Sequence, residues 1–192
     1  MRTDPAYFSN LRVTNLDTVL SFKPEPTSAS KKMYISNWLI SEPYDNYDFT
    51  IEKPFINDSI VSKWQNINTE ENYLMNLNRH FTFSKSINTV LAKVIINSKK
   101  PQKKKLYFGY SDKIRIYLNT ESIFSGDNSF HESEKFEDRG YVLDKHQMIE
   151  LPLVKGENEL ILEISEKMFG WGFITHLEDL KGIEIINQPK AK

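Results

Sequence analysis

Trp171 stands between Gly170 and Gly172. On an extended chain the two glycines share the face opposite the indole and leave that face open. Two arrangements use such a triplet. In one the indole is a platform: its ring packs against the axial C–H groups of a sugar, and polar neighbours take the hydroxyls. In the other another backbone approaches the glycines closely and the indole lies in the core, the commoner use of glycine in a strand. Trp38, between Asn37 and Leu39 in an apolar segment, reads as core. Trp64 precedes Gln65 and Asn66 and reads as nearer a loop surface. Burial remains the favoured expectation for both, because tryptophan is mostly buried on average.

Polar candidates accompany these rings. Tyr110-Ser111-Asp112 reads as a turn, where Asp112 either caps the turn through its side chain or meets a ligand. Arg79 could grip vicinal hydroxyls as a guanidinium beside a carboxylate, although a structural ion pair is the commoner use. Asp127 and Asn128 offer oxygen atoms of the kind calcium prefers, in a turn after Gly126. The four histidines, His80, His131, His146 and His176, show neither zinc-binding helical spacing nor a nucleophile triad. A glycosidase needs two carboxyl groups about 5–9.5 Å apart, and no pair among the 26 acidic residues is singled out. The basic loop 99–105 could touch phosphate, but it holds no aromatic residue on which a base could stack. Binding rather than catalysis is the chemistry these residues support, with no cofactor beyond a structural calcium ion.

These side chains have to be positioned by strands. The stretch 105–173 sets the pattern: Ile114, Ile116 and Leu118 fall on one side of an extended chain and Lys113, Arg115 and Tyr117 on the other. Leu160, Leu162 and Ile164 repeat that pattern after the turn-forming Lys155-Gly156-Glu157-Asn158. Val90, Ala92, Val94 and Ile96 do the same. Further strands are expected at 7–14, 33–43, 79–83, 106–110, 122–124, 148–153, 169–175 and 182–186, and a short helix at 57–65. Short strands separated by turns, without long helical patterns, predict an all-β sandwich or barrel. The proline-rich segment 24–32 reads as a linker. The expected organisation is therefore an N-terminal strand and linker over 1–32, a sandwich over 33–186, and a frayed tail over 187–192. The N-terminal strand reads either as the end of a preceding domain or as an added edge of the main sheet.

Composition narrows the partners. A net charge of −1 favours neither nucleic acid nor an anionic membrane. With no cysteine there are no disulfides, which is compatible with either a cytosolic or an exported setting. No apolar run approaches the ~20 residues of a membrane span, and the first residues lack the apolar core of a secretory signal.

The order of pieces from 79 to 165 resembles the sugar-binding jelly-roll domain of β-galactosidases and β-glucuronidases. The residues that carry the resemblance are Arg79-His80-Phe81, Tyr117-Leu118-Asn119-Thr120 and Lys155-Gly156-Glu157-Asn158-Glu159-Leu160. Phe169-Gly170-Trp171-Gly172-Phe173 is similar to the closing strand of galactose-binding-like domains joined to larger bacterial proteins. Thr120 departs from the glycine that the family's Asn-Gly turn carries, and a type I′ turn prefers glycine there. The resemblance implies an all-β, galactose-binding-like jelly-roll β-sandwich used as an accessory to a catalytic domain. The expected function is non-catalytic: weak glycan binding through end loops, with Trp64, Arg79, Tyr110, Asp112 and Trp171 as contacts. The alternative is a module that docks a neighbouring domain.

Overall fold

The computed structural model describes residues 33–57, 59–82, 84, 87–132, 140–167 and 170–186. The expected strand 7–14, the linker 24–32 and the tail 187–192 lie outside them.

Two antiparallel sheets stack face to face. In the larger, the central strands are β5 (Thr89–Ser98) and β10 (Gly156–Ser165), paired along their full length from Gly156↔Ser98 to Ser165↔Thr89. β7 (Lys113–Leu118) and β8 (Glu121–Asp127) extend it on one side. On the other side, β2 (Asn37–Ser41) and then β3 (Trp64–Asn68) follow the first half of β5. β12 (Ile183–Ile186) covers the second half of β5. The smaller sheet runs β1 (Met33–Tyr34), β11 (Gly172–Leu177), β6 (Gln102–Ser111) and β9 (Gln147–Leu153). β4 (Met75–Asn76) also pairs with β11. This is an all-β sandwich of two antiparallel sheets.

The period-two pattern builds the core. Val90, Ala92, Val94 and Ile96 face Leu106, Phe108 and Tyr110 across the sandwich, joined by Ile114, Ile116, Leu160, Leu162, Ile164, Trp38 and Phe173. All are buried. Each large aliphatic side chain taken from water stabilises the fold by roughly 1.5–3 kcal/mol.

The face opposite that core holds a surprise. Arg115 and Tyr117, expected to look outward, are 8% and 1% exposed. Residues 42–57 and 59–61 cross the outer face of the larger sheet as a strap, and Val61, Phe55, Ile60 and Tyr44 pack with Leu91, Tyr117 and Ile161 in a second apolar cluster. The strap also accounts for the missing helix at 57–65. Asn57 does cap the amide of Ser59 at 3.0 Å. Among the described residues a short 3-10 turn forms nearby, at Pro54–Ile56, and Trp64–Asn68 is drawn instead into the ladder with β2. The strand expected at 79–83 is likewise a 3-10 turn at Leu77–Arg79, where buried Leu77 donates its amide to the Trp171 carbonyl. In both places tertiary pairing overrides local pattern.

Two turns from the sequence motif interlock. Asn158 is fully buried, and its amide group donates to the carbonyls of Val154 (2.9 Å), Ile96 (3.2 Å) and Gly156 (3.0 Å). Asn119 donates to the Asn158 side-chain oxygen at 3.1 Å and accepts the amide of Glu159 at 2.9 Å. The turn at Asn119-Thr120 keeps the type I′ shape, with φ of 50° and 73°. A β-branched side chain in the left-handed region costs roughly 1–2 kcal/mol. Thr120→Gly is therefore expected to raise the unfolding free energy by about 1 kcal/mol, after the entropic cost of glycine, as read from urea denaturation.

Candidate functional site

One end of the sandwich gathers the ends of β6, β7, β8 and β10 with the strap. Its foundation is buried. Asn128 donates its side-chain amide to the carbonyls of Tyr110 (2.8 Å) and Tyr141 (3.3 Å), and its backbone amide to the Asp112 carbonyl (2.6 Å). Asp112 accepts the Lys167 amide at 2.9 Å and donates its own amide to Ser165 at 2.9 Å. These bonds tie the four strand ends together.

On that foundation sit solvent-facing groups. Phe130 and Tyr141 are 52% and 44% exposed. Tyr47, on the strap, is half-buried, and its hydroxyl lies 3.4 Å from that of Ser129. The Lys113 ammonium lies 4.1 Å from the Tyr47 ring centre and that of Lys167 5.2 Å from it. Lys113 also pairs with Asp48 at 3.2 Å and approaches Asp127 at 4.0 Å. Burial opposes ionisation of Asp127, but the Ser129 hydroxyl and amide and the Lys113 charge outweigh it and hold its carboxyl below the usual range. Aromatic rings, ammonium donors and carboxylate acceptors thus share one surface, the equipment for stacking on a pyranose and bonding its hydroxyls.

The strap is latched by a buried polar cluster. Glu163 of β10 is fully buried and accepts hydrogen bonds from Tyr44 (2.9 Å), Asn46 (2.5 Å) and Tyr117 (3.3 Å), with the Arg115 guanidinium 3.8 Å away. Arg115 also donates to Tyr117 at 2.9 Å and to the Phe49 carbonyl at 2.6 Å. Burial pushes the Glu163 carboxyl above its usual range despite these donors, and pushes the Tyr44 phenol upward together with the Glu163 charge. Asn46 and Phe49 bracket Tyr47 and Asp48 in sequence, so this cluster fixes where the Tyr47 ring stands.

The residues expected to bind divide among several places. Tyr110 and Asp112, each 2% exposed, belong to the foundation of the loop end rather than to its surface. Trp171 is also 2% exposed and its indole donates to the Ile164 carbonyl at 3.2 Å, so the structure realises the packed reading of that triplet. Gly172 explains the spacing, because a Cβ there would meet the Met75 carbonyl oxygen at 2.6 Å. Trp64 lies apart on β3, half-buried beneath the Lys93 ammonium at 4.2 Å. Arg79 is exposed and paired with Glu70 at 2.9 Å, also away from the loop end. Asp127 and Asn128 do not fit a calcium ion: Asn128 turns its amide nitrogen to two carbonyls, Ser129 occupies one oxygen of Asp127, and the Lys113 ammonium stands near the other. Among the described residues no three His, Cys, Asp or Glu side chains form a metal-binding group. Tyr47, Phe130 and Tyr141 were missed by sequence reasoning. The available signal was aromatic residues set among Asp, Asn and Ser in segments without strand periodicity.

No protein-family model and no curated protein matches the sequence. Among solved structures the chain is similar to a β-glucosidase from Kluyveromyces marxianus, with 15% identity and a TM-score of 0.49 over 72% of this chain and 16% of that one. It is similar to a β-glucuronidase from Ruminococcus gnavus, with 9% identity and a TM-score of 0.44 over 76% of this chain and 29% of that one. It is also similar to a family 35 carbohydrate binding module from an environmental isolate, with 13% identity and a TM-score of 0.39 over 84% of this chain and 96% of that one. The chain therefore spans less than a third of each of the two enzymes. No helix among the described residues is long and apolar enough to cross a membrane.

Proposed function

We propose that this chain is a non-catalytic carbohydrate-binding module that holds glycan weakly at the loop end. The observation that carries the reading is the convergence of Tyr47, Phe130 and Tyr141 with Lys113, Lys167, Asp127 and Ser129 on one exposed surface. Aromatic rings beside fixed hydrogen-bonding groups suit a ligand with both C–H faces and hydroxyls. The buried carboxylate Glu163 is sealed under the strap with Arg115, which suits a structural rather than a catalytic role.

Tyr47→Ala is expected to weaken glycan binding about tenfold, the equivalent of ~1.4 kcal/mol, with little change in stability. Isothermal titration against oligosaccharides that score on a broad glycan array measures it. A flat array, or a Tyr47→Ala variant that binds as the parent does, contradicts the loop-end reading.

A further inference from the structure

The outer face of the smaller sheet carries a row of rings unrelated to the loop end. Tyr34 of β1 lies opposite His176 of β11 in the ladder, on the face away from the core. Tyr107 stacks on His176 at 4.9 Å with an interplanar angle of 8°, and Tyr34 contacts the same imidazole at 5.2 Å. Tyr73 closes the row, stacked on Tyr34 at 4.2 Å and 2°.

Tyr73 is the unusual member. Its φ is 66°, in the left-handed region where a bulky side chain is strained, and the residue is 43% exposed. Strain of this kind concentrates where a side chain has to be presented in one place. The turn that holds it also forms an open groove of 570 Å³ lined by Thr69, Glu70, Glu71, Asn72 and Arg79. Every lining side chain donates or accepts hydrogen bonds. The Arg79–Glu70 pair at 2.9 Å leaves the Glu71 carboxylate in excess, which disfavours an anionic ligand.

We propose that this groove, with Tyr73 beside it, is a second carbohydrate contact site that takes a neutral pyranose unit, with Tyr73 as the stacking ring and Glu71, Asn72 and Arg79 as hydroxyl partners. The inference rests on the carbohydrate reading of the chain but not on the loop-end surface. It gives Arg79 the ligand role considered from sequence, in a different setting.

The test is affinity electrophoresis of the whole chain through gels containing barley β-glucan, potato galactan or konjac glucomannan. Tyr73→Gly removes the ring and relieves the backbone; Tyr73→Phe keeps the ring. Glu71→Ala, at an exposed groove wall, guards against misfolding of the glycine variant. The parent and Tyr73→Phe are expected to be retarded by at least one neutral polysaccharide. Tyr73→Gly should lose about nine-tenths of that retardation while keeping the parent's circular dichroism spectrum, and Glu71→Ala should lose at least half. Parent-like retardation of Tyr73→Gly, or an unretarded parent, overturns the proposal. Tyr47→Ala separates the two sites. Retardation lost only in Tyr73→Gly supports this groove and removes the loop end; retardation lost only in Tyr47→Ala does the reverse.

Discussion

Glu163→Ala is expected to lower the unfolding free energy by about 3–5 kcal/mol, because it leaves the Arg115 charge buried without its counter-ion. Arg115 is 8% exposed and Glu163 wholly buried, so neither group can turn to water without lifting the strap. The same change removes the acceptor for Tyr44 and Asn46, and with it the anchor beside Tyr47. The double variant Arg115→Met with Glu163→Leu should recover part of the loss, since well-packed apolar residues often replace a buried ion pair at no net cost, while Tyr44, Asn46 and Tyr117 still lack their acceptor. Urea denaturation of the parent, the single variant and the double variant reads this directly. A single variant within 1 kcal/mol of the parent, well below the ~3 kcal/mol threshold for a broken buried pair, contradicts the latch.

The same group sets a pH dependence. Burial raises the Glu163 carboxyl above its unfolded value. Between the unfolded and folded values the native state binds more protons than the unfolded chain, so stability falls as pH rises. The contribution is complete below the ordinary carboxylate range and is lost as pH rises through the raised folded value. Glu163→Gln lacks it. The parent's stability relative to Glu163→Gln should therefore decrease from acid toward neutral pH. The lowered carboxyl of Asp127, which loses stability in the opposite direction as pH falls, is common to both proteins and cancels from the difference.

Trp171→Ala is expected to cost about 3–5 kcal/mol, the usual penalty for emptying a buried indole site. The ring is 2% exposed, its nitrogen is bonded to the Ile164 carbonyl, and Phe81 lies 6.0 Å from it. A platform tryptophan would behave in the opposite way, losing ligand while keeping its melting curve. Chemical denaturation beside glycan titration distinguishes the two, and a Trp171→Ala variant of undiminished stability that no longer binds glycan would restore the platform role.

Much of the sandwich was legible because its inner faces alternate strictly. Residues 90–96, 114–118 and 160–164 each place three or four aliphatic side chains two apart, and all of them are core. The Gly156-Glu157-Asn158 turn was legible because few residue types satisfy its φ of 95° and its buried hydrogen bonds. The strap was not. The described residues of the strap have no period, since beyond one isolated bridge between Tyr44 and Thr89 they meet the sheet through scattered side-chain contacts. Without the strap, Arg115 and Tyr117 read as solvent-facing. The loop-end surface was hidden for a related reason: Tyr47 reaches Ser129, 82 residues away in sequence, only because the latch at Glu163 holds it there. Tyr110 and Asp112 lie beneath that surface rather than on it, because whether a turn residue faces in or out depends on what covers it.

The most direct measurement is an NMR titration of the whole chain, with aromatic and backbone signals assigned, against oligosaccharides released from the polysaccharides above. Shifts concentrated at Tyr47, Ser129, Phe130 and Tyr141, saturating with added sugar, are the result predicted here. Saturable shifts that cluster around Trp64, or a spectrum unmoved at millimolar sugar, would contradict it.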